Sequence, residues 1–226
     1  ILEAMSTKTG AVLNPKILQE DLNKIREMYH KDGFYNAQVD YDLEKNETGQ
    51  ARLNINIEEG EKLYIKEIKI QGAKQLDPDD IKDELALSER GFFSWITGRG
   101  VLKQDFLERD AAFIEAYYAN RGFVDARVGK PEVKFKDDGI YVTFHVSEGE
   151  RYKVGKVSFT GDVIFSEEKL FNRIKLDELA EEGEYYDQSI MRDDLQSLSD
   201  YYSNYGYAYA EADAGTSQND EEKEIN

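Results

Sequence analysis

The stretch AAFIEAYYANRGFVDARV, Ala111 to Val128, reads as a helix that stops at a glycine and turns into a strand. It occurs three times. The earlier copy is LNKIREMYHKDGFYNAQV, Leu22 to Val39, and the later one is LQSLSDYYSNYGYAYAEA, Leu195 to Ala212. Tyr29, Tyr118 and Tyr202 correspond, as do Gly33, Gly122 and Gly206, each followed by an aromatic residue (Phe34, Phe123, Tyr207). Ala37, Ala126 and Ala210 also align. Self-similarity at a fixed interval marks an array of small units that each repeat one supersecondary pattern.

A second block follows the first two copies. Glu59-Gly60 matches Glu148-Gly149, and the next segments, LYIKEIKIQG and YKVGKVSFTG, end at Gly72 and Gly161. The interval from Gly33 to Gly122 equals that from Gly72 to Gly161, so the unit is about 75–90 residues long, small for independent folding. The modules are expected at 1–61 (the C-terminal part of one), 62–150 (complete) and 151–226 (lacking its last strand).

The central copy gives the order of elements. Leu63, Ile65, Ile68 and Ile70 nearly alternate, which predicts a strand over 62–71 ending at Gly72. Asp77-Pro78 opens a helix, because Asp caps free N–H groups and Pro at the first position has no N–H to lose. Ile81 and Leu85 are expected to face inward. A second helix is predicted over 103–120, with Phe106, Leu107, Phe113, Ile114 and Tyr117 along its buried stripe. Gly122 stops it with a positive φ. Strands follow over 125–135 and 140–147, joined by a turn at Asp138-Gly139. The fold class is therefore α+β: tandem β-α-α-β-β modules, each a three-stranded mixed sheet covered by two antiparallel helices. The first strand arrives by a helical crossover and joins the last strand, which leaves the second strand at an edge. The flanking copies repeat the pattern, with a helix opened by Asn14-Pro15, strands near 37–43 and 51–58, and a helix opened at Ser166 that buries Leu170 and Ile174. Almost no linker separates the copies, which predicts a semi-rigid, extended arm.

Composition excludes several function classes. With 47 acidic against 29 basic residues the formal net charge is -18, so phosphate-rich partners are repelled and no nucleic acid is expected. There is no cysteine, hence neither a disulfide framework nor a thiolate metal site. No window is apolar over the roughly 18–20 residues that span a bilayer, and the first ten residues do not read as a signal peptide. His30 and His145 are the only histidines, and neither has a sequence partner that suggests a triad or a metal pair. The acidic runs at 77–80, 181–184 and 220–224 lack calcium-loop spacing. No phosphate-binding glycine loop or nucleophile elbow occurs. None of these patterns points to a catalytic residue, metal, cofactor or small-molecule substrate.

The signature carried by IREMYHKDGF, IEAYYANRGF and LSDYYSNYGY, with EEGEKLYIKEIKIQG and SEGERYKVGKVSFTG, resembles that of POTRA domains, above all those of the BamA family of outer-membrane protein assembly factors. GFFSWITGRGVLKQDFLERD is similar to the helix–helix connection of that arm's third module, and YSNYGYAYAEAD to its fourth, so the three copies resemble modules two to four. The resemblance implies a periplasmic arm tethered to the outer membrane by its own C-terminal membrane barrel, with a first and a last module also outside this sequence. It implies as partners unfolded outer-membrane proteins and accessory assembly lipoproteins. Two alternatives stay open: the arm of a two-partner secretion or autotransporter-assembly protein, or a purely structural spacer.

An exposed sheet edge can accept an extended peptide as an added strand, its backbone hydrogen bonds giving affinity with little sequence demand. The candidate polypeptide-binding residues are Arg127, Val128, Gly129, Val133 and Phe135 on the second strand of the central module. Pro131 interrupts that strand and belongs at an edge or bulge. The competing reading is an edge merely tolerated, blunted by Pro131, Lys130, Lys134 and Lys136. A second candidate is the loop Gly91–Val101, where Phe92, Phe93, Trp95 and Ile96 form either a docking patch or an extension of the core. The repeated tyrosines and turn glycines are read as core and backbone devices.

Overall fold

The computed structural model describes residues 2–45, 51–91, 99–136 and 138–226. They fall into two compact units, one of residues 1–69, 86–107 and 132–143, the other of 70–85, 108–131 and 144–226.

In the first unit, α1 (Pro15–Lys31) begins where Asn14-Pro15 predicts it, with the Asn14 side chain accepting from the amides of Lys16 and Ile17. Strands β1 (Gln38–Lys45) and β2 (Ala51–Glu58) pair antiparallel from Gln38↔Glu58 to Lys45↔Ala51. Met5, Leu18, Leu22, Ile25 and Val39 form the core there, with Leu53, Ile55 and Ile57 packed on it.

The central copy supplies β3 (Ile65–Gln71), α2 (Pro78–Asp83), α3 (Gln104–Ala119), β4 (Arg127–Val128), β5 (Glu132–Lys136) and β6 (Gly139–Ser147). The sheet order is β3-β6-β4, with β5 also on β6. The last strand is thus central and the second strand lies at the edge, as the crossover argument requires. The buried positions of β6, namely Ile140, Val142, Phe144 and Val146, alternate as the sequence does. Three details differ from the sequence reading. Helix α2 ends at Asp83, so Leu85 is only half-buried and Leu87 is buried instead. On α3, Ile114, Tyr117 and Tyr118 are buried while Phe106, Leu107 and Phe113 are half-buried. Gly139 opens β6 opposite Lys136, where the sequence placed it in the turn.

The third copy lies wholly in the second unit: β7 (Lys153–Val154), α4 (Glu167–Phe171), α5 (Leu176–Glu182), α6 (Gln188–Asn204), β8 (Gln218–Asn219) and β9 (Glu224–Ile225). Leu170 and Ile174 are buried as expected. Strand β9, two residues long, runs parallel to β7 and antiparallel to β8. The order β7-β9-β8 repeats that of the central sheet.

Helix ends and joints are built alike in each copy. Gly33, Gly122 and Gly206 have φ of 95°, 90° and 93°, and the next amide (Phe34, Phe123, Tyr207) donates back to the carbonyl of Tyr29, Tyr118 or Tyr202 at 2.9, 3.1 and 3.2 Å. This is the glycine helix stop in which a left-handed residue satisfies terminal carbonyls. At two of the stops the glycine carbonyl then holds the start of the next copy. Leu63 donates to Gly33 at 2.9 Å and Tyr152 donates to Gly122 at 2.8 Å.

Two buried carboxylates tie each helix to distant backbone. Asp21 on α1 accepts from the amides of Ser6 and Thr7 at 2.8 and 2.7 Å, and Asp194 on α6 accepts from Lys175 and Leu176 at 2.9 Å. Burial pushes the Asp21 carboxyl up, but these two amides and Lys24 outweigh it and hold it at about 2. Glu148 of the Glu-Gly motif accepts from Lys74 and Gln75 at 2.8 and 3.0 Å and from the Tyr118 hydroxyl at 3.0 Å. Burial opposes its ionisation, yet these donors leave its carboxyl below the usual range, while burial and the Glu148 charge push Tyr118 up.

Candidate polypeptide-binding edge

The candidate residues lie on two short strands because the sequence between them cannot continue a ladder. Pro131 has no N–H, and Gly129 adds backbone freedom. Strand β4 pairs as Arg127↔Ser147 and Val128↔Val146, whereas β5 starts at Glu132↔Thr143. The two registers differ by one residue along β6, which is a β-bulge over 129–131.

In the second unit, Gly129 donates to the His145 carbonyl at 2.9 Å. The Val128 amide does not meet another strand: it donates to Glu115 Oε1 of α3 at 2.8 Å. Arg127 is exposed and folds back, its Nη1 donating to the Ala126 carbonyl at 2.7 Å. An intramolecular carboxylate therefore satisfies one edge donor.

In the first unit, β5 has five residues, and only Val133 among them is even half-buried. Antiparallel pairing turns the N–H and C=O of every second residue away from the partner, so β5 presents outward polar backbone. Phe135 is 51% exposed. Its ring lies 4.9 Å, centroid to centroid, from that of Tyr35, which follows the first helix-stop glycine. The Tyr35 hydroxyl donates to the Leu102 carbonyl at 2.7 Å, and His30 stacks on the ring at 5.5 Å. Burial raises the Tyr35 pKa. Lys134 pairs with Glu132 at 2.9 Å and Lys136 sits 3.8 Å over the Tyr141 ring, so both lysines are engaged within the strand pair.

The second candidate cluster, Phe92, Phe93, Trp95 and Ile96, lies outside the described residues. Tyr35 and Glu115 did not figure in the sequence reading. Tyr35 had a visible signal, since the equivalent positions are Val124 and Ala208 and the aromatic breaks the repeat. Glu115 had none, because its role depends on which amide the bulge turns toward α3. Among the described residues no cluster of His, Cys, Asp or Glu is arranged to hold a metal ion, and no helix is long and apolar enough to cross a membrane.

The sequence pattern of the family described as POTRA, surface antigen variable number repeat, matches residues 1–60, 63–149 and 152–226. Over all 226 residues the chain is 50% identical to the outer membrane protein assembly factor BamA of Nitratidesulfovibrio vulgaris, covering 29% of that protein. It is 30% identical over 213 residues, 92% of its length, to a putative outer membrane protein assembly factor of Treponema pallidum, of which it covers 24%. It thus spans under a third of the length of these relatives. Among solved structures, a crystal structure of Haemophilus influenzae BamA POTRA3-5 aligns with a TM-score of 0.49 at 17% identity, over 99% of this chain and 85% of that one.

Proposed function

The chain belongs to the POTRA family, and from that premise we propose that it is the periplasmic arm of an outer-membrane β-barrel assembly protein. In this reading residues 1–61, 62–150 and 151–226 are successive modules. The arm hangs from a barrel in the outer membrane, receives unfolded outer-membrane polypeptides and docks accessory assembly lipoproteins. It holds a client without transforming it, and no cofactor enters.

The observation that carries the binding mode is the place of β5 at the sheet edge, with outward backbone groups and the half-exposed Phe135. A client adds there as one more strand. Clients of an assembly factor for β-barrels share β-propensity rather than a common sequence, and backbone pairing suits such a pool. Arg127, Val128 and Gly129 contribute less than Val133 and Phe135, since Glu115 already takes the Val128 amide. That carboxylate and Pro131 also favour the second reading, a spacer whose edge is closed to clients.

Titration of the labelled 226-residue chain with a peptide from an outer-membrane β-strand separates the two. Client binding shifts the amides of Glu132–Lys136 in a saturable way. The absence of any shift up to about 1 mM peptide, a weak affinity of about −4 kcal/mol, favours the spacer.

A further inference from the structure

One position of the long helix reaches the backbone of the second strand in every copy. Arg26, Glu115 and Ser199 stand at that position of the repeat, and the residues they reach, Val39, Val128 and Ala212, also correspond. Glu115 Oε1 accepts from the Val128 amide at 2.8 Å, and Ser199 Oγ accepts from the Ala212 amide at 3.1 Å. Arg26 Nη2 donates to the Val39 carbonyl at 3.4 Å. The three side chains differ in charge and in the sense of the hydrogen bond. The contact is therefore a property of the position and not of one residue type.

In the complete central copy the residue that is held is one whose backbone points out of the sheet. Gly129 donates to the His145 carbonyl at 2.9 Å, so Gly129 turns its polar groups toward β6. By alternation Val128 turns both of its own away. Such an outward N–H and C=O are what an added strand needs at an edge. Glu115 occupies the N–H, and a charge-assisted bond of this kind is stronger than a client carbonyl can offer.

Backbone pairing by itself specifies register weakly, so a strand added to an edge can slip along it. A closed group at one end removes the slipped positions. We propose that this helix position is the stop for strands added to a module, and that Glu115 is the positioning residue that sets the register of a client on the central copy. The inference rests on the client edge proposed above. It gives the held Val128 amide a meaning other than a closed edge: Val128 is where the client site ends.

The test compares the 226-residue chain with its Glu115→Ala and Glu115→Gln variants, each with a labelled backbone. The probe is the capped peptide KTVTVTVTK, a generic extended strand. In wild type the peptide shifts the amides of Glu132–Lys136 and leaves Val128 unmoved. In Glu115→Ala the Val128 amide shifts with the peptide as well, and binding tightens about fivefold, the gain of one backbone hydrogen bond. Glu115→Gln keeps an acceptor oxygen and behaves as wild type. A merely structural contact predicts otherwise, since Glu115→Ala then lowers stability without tightening binding. Three outcomes overturn the proposal while leaving the client edge in place: a Val128 shift already in wild type, equal or weaker binding by Glu115→Ala, or a tightening that Glu115→Gln shares. Absence of saturable shifts in all three proteins up to about 1 mM peptide removes the client edge and the stop together.

Discussion

Replacing Glu148 should open one corner of the central copy and leave the rest of the fold in place. The side chain is 8% exposed, and one of its oxygens receives three donors, the amides of Lys74 and Gln75 and the Tyr118 hydroxyl. A hydrogen bond to a charged group contributes about 1.5–3 kcal/mol, and a buried donor left without a partner loses a comparable amount. The three bonds share one acceptor and the amides lie near solvent, so their sum overstates the effect; about 3–4 kcal/mol is the expected cost of Glu148→Ala. Glu148→Gln keeps an oxygen for the amides and loses only the charge, about 1–2 kcal/mol. Hydrogen exchange at the Lys74 and Gln75 amides reads this locally, with each 1.4 kcal/mol equal to a factor of ten. Exchange there should accelerate roughly 200- to 1000-fold in Glu148→Ala and about tenfold in Glu148→Gln. Tyr118→Phe should act mostly through the same carboxylate, so the double variant should be less than additive. If Glu148→Ala changes these rates by less than threefold, the reading of the Glu-Gly motif as a backbone clamp is wrong.

Asp21 makes the first copy acid-sensitive. Its folded pKa, about 2, lies below the unfolded value near 4, so its contribution is complete above pH 5 and is lost as the pH falls toward 2. Thermal melts of wild type should show this loss, and Asp21→Asn should flatten the dependence in that window. Gly122→Ala forces a side chain into φ +90°, with its Cβ 2.7 Å from the Tyr152 carbonyl oxygen; stability measured by urea titration should fall by about 2 kcal/mol or more. Tyr35→Ala removes the Leu102 hydrogen bond and the Phe135 ring contact. Expected is a loss of about 2–3 kcal/mol, seen as faster proteolysis within residues 99–103, while Tyr35→Phe should lose only the share of the hydrogen bond.

Elements governed by neighbours in sequence were legible. Asn14-Pro15 and Asp77-Pro78 placed two helix starts to the residue, because a cap and a proline act within one turn. The alternation in β6 gave its buried face, and the crossover gave the edge position of the second strand. What depended on remote backbone was harder to see. Asp21, Asp110 and Asp194 are buried although carboxylates are usually exposed, and for Asp21 and Asp194 the reason is a pair of amides 14 to 19 residues away. A signal did exist, since each aspartate precedes its repeated tyrosine by the same interval. Leu85 failed as a core residue because α2 stops one turn early, at a point that no glycine or proline marks.

The repeat also explains why the joints between copies can be so short. Lys62 and Arg151 occupy the same position, and each lies over the aromatic after the preceding helix stop, Lys62 5.7 Å from the Phe34 centroid and Arg151 5.5 Å from that of Phe123. The next residue donates its amide to the stop glycine. A cation over a ring and one backbone bond together fix the entry of the following strand within two residues, leaving no length for a linker to vary. The glycine is therefore under two demands at once. It must take a positive φ to end its own helix, and it must stay without a side chain so that the next strand can approach. Gly122 shows both, with an added Cβ 2.7 Å from the Tyr152 carbonyl oxygen. Gly33 has a similar φ, but there the nearest atom to an added Cβ is the Lys62 Cε at 3.0 Å, the far end of a flexible side chain. Gly33→Ala should therefore be less harmful than Gly122→Ala, because at Gly122 the close approach is to backbone that cannot step aside.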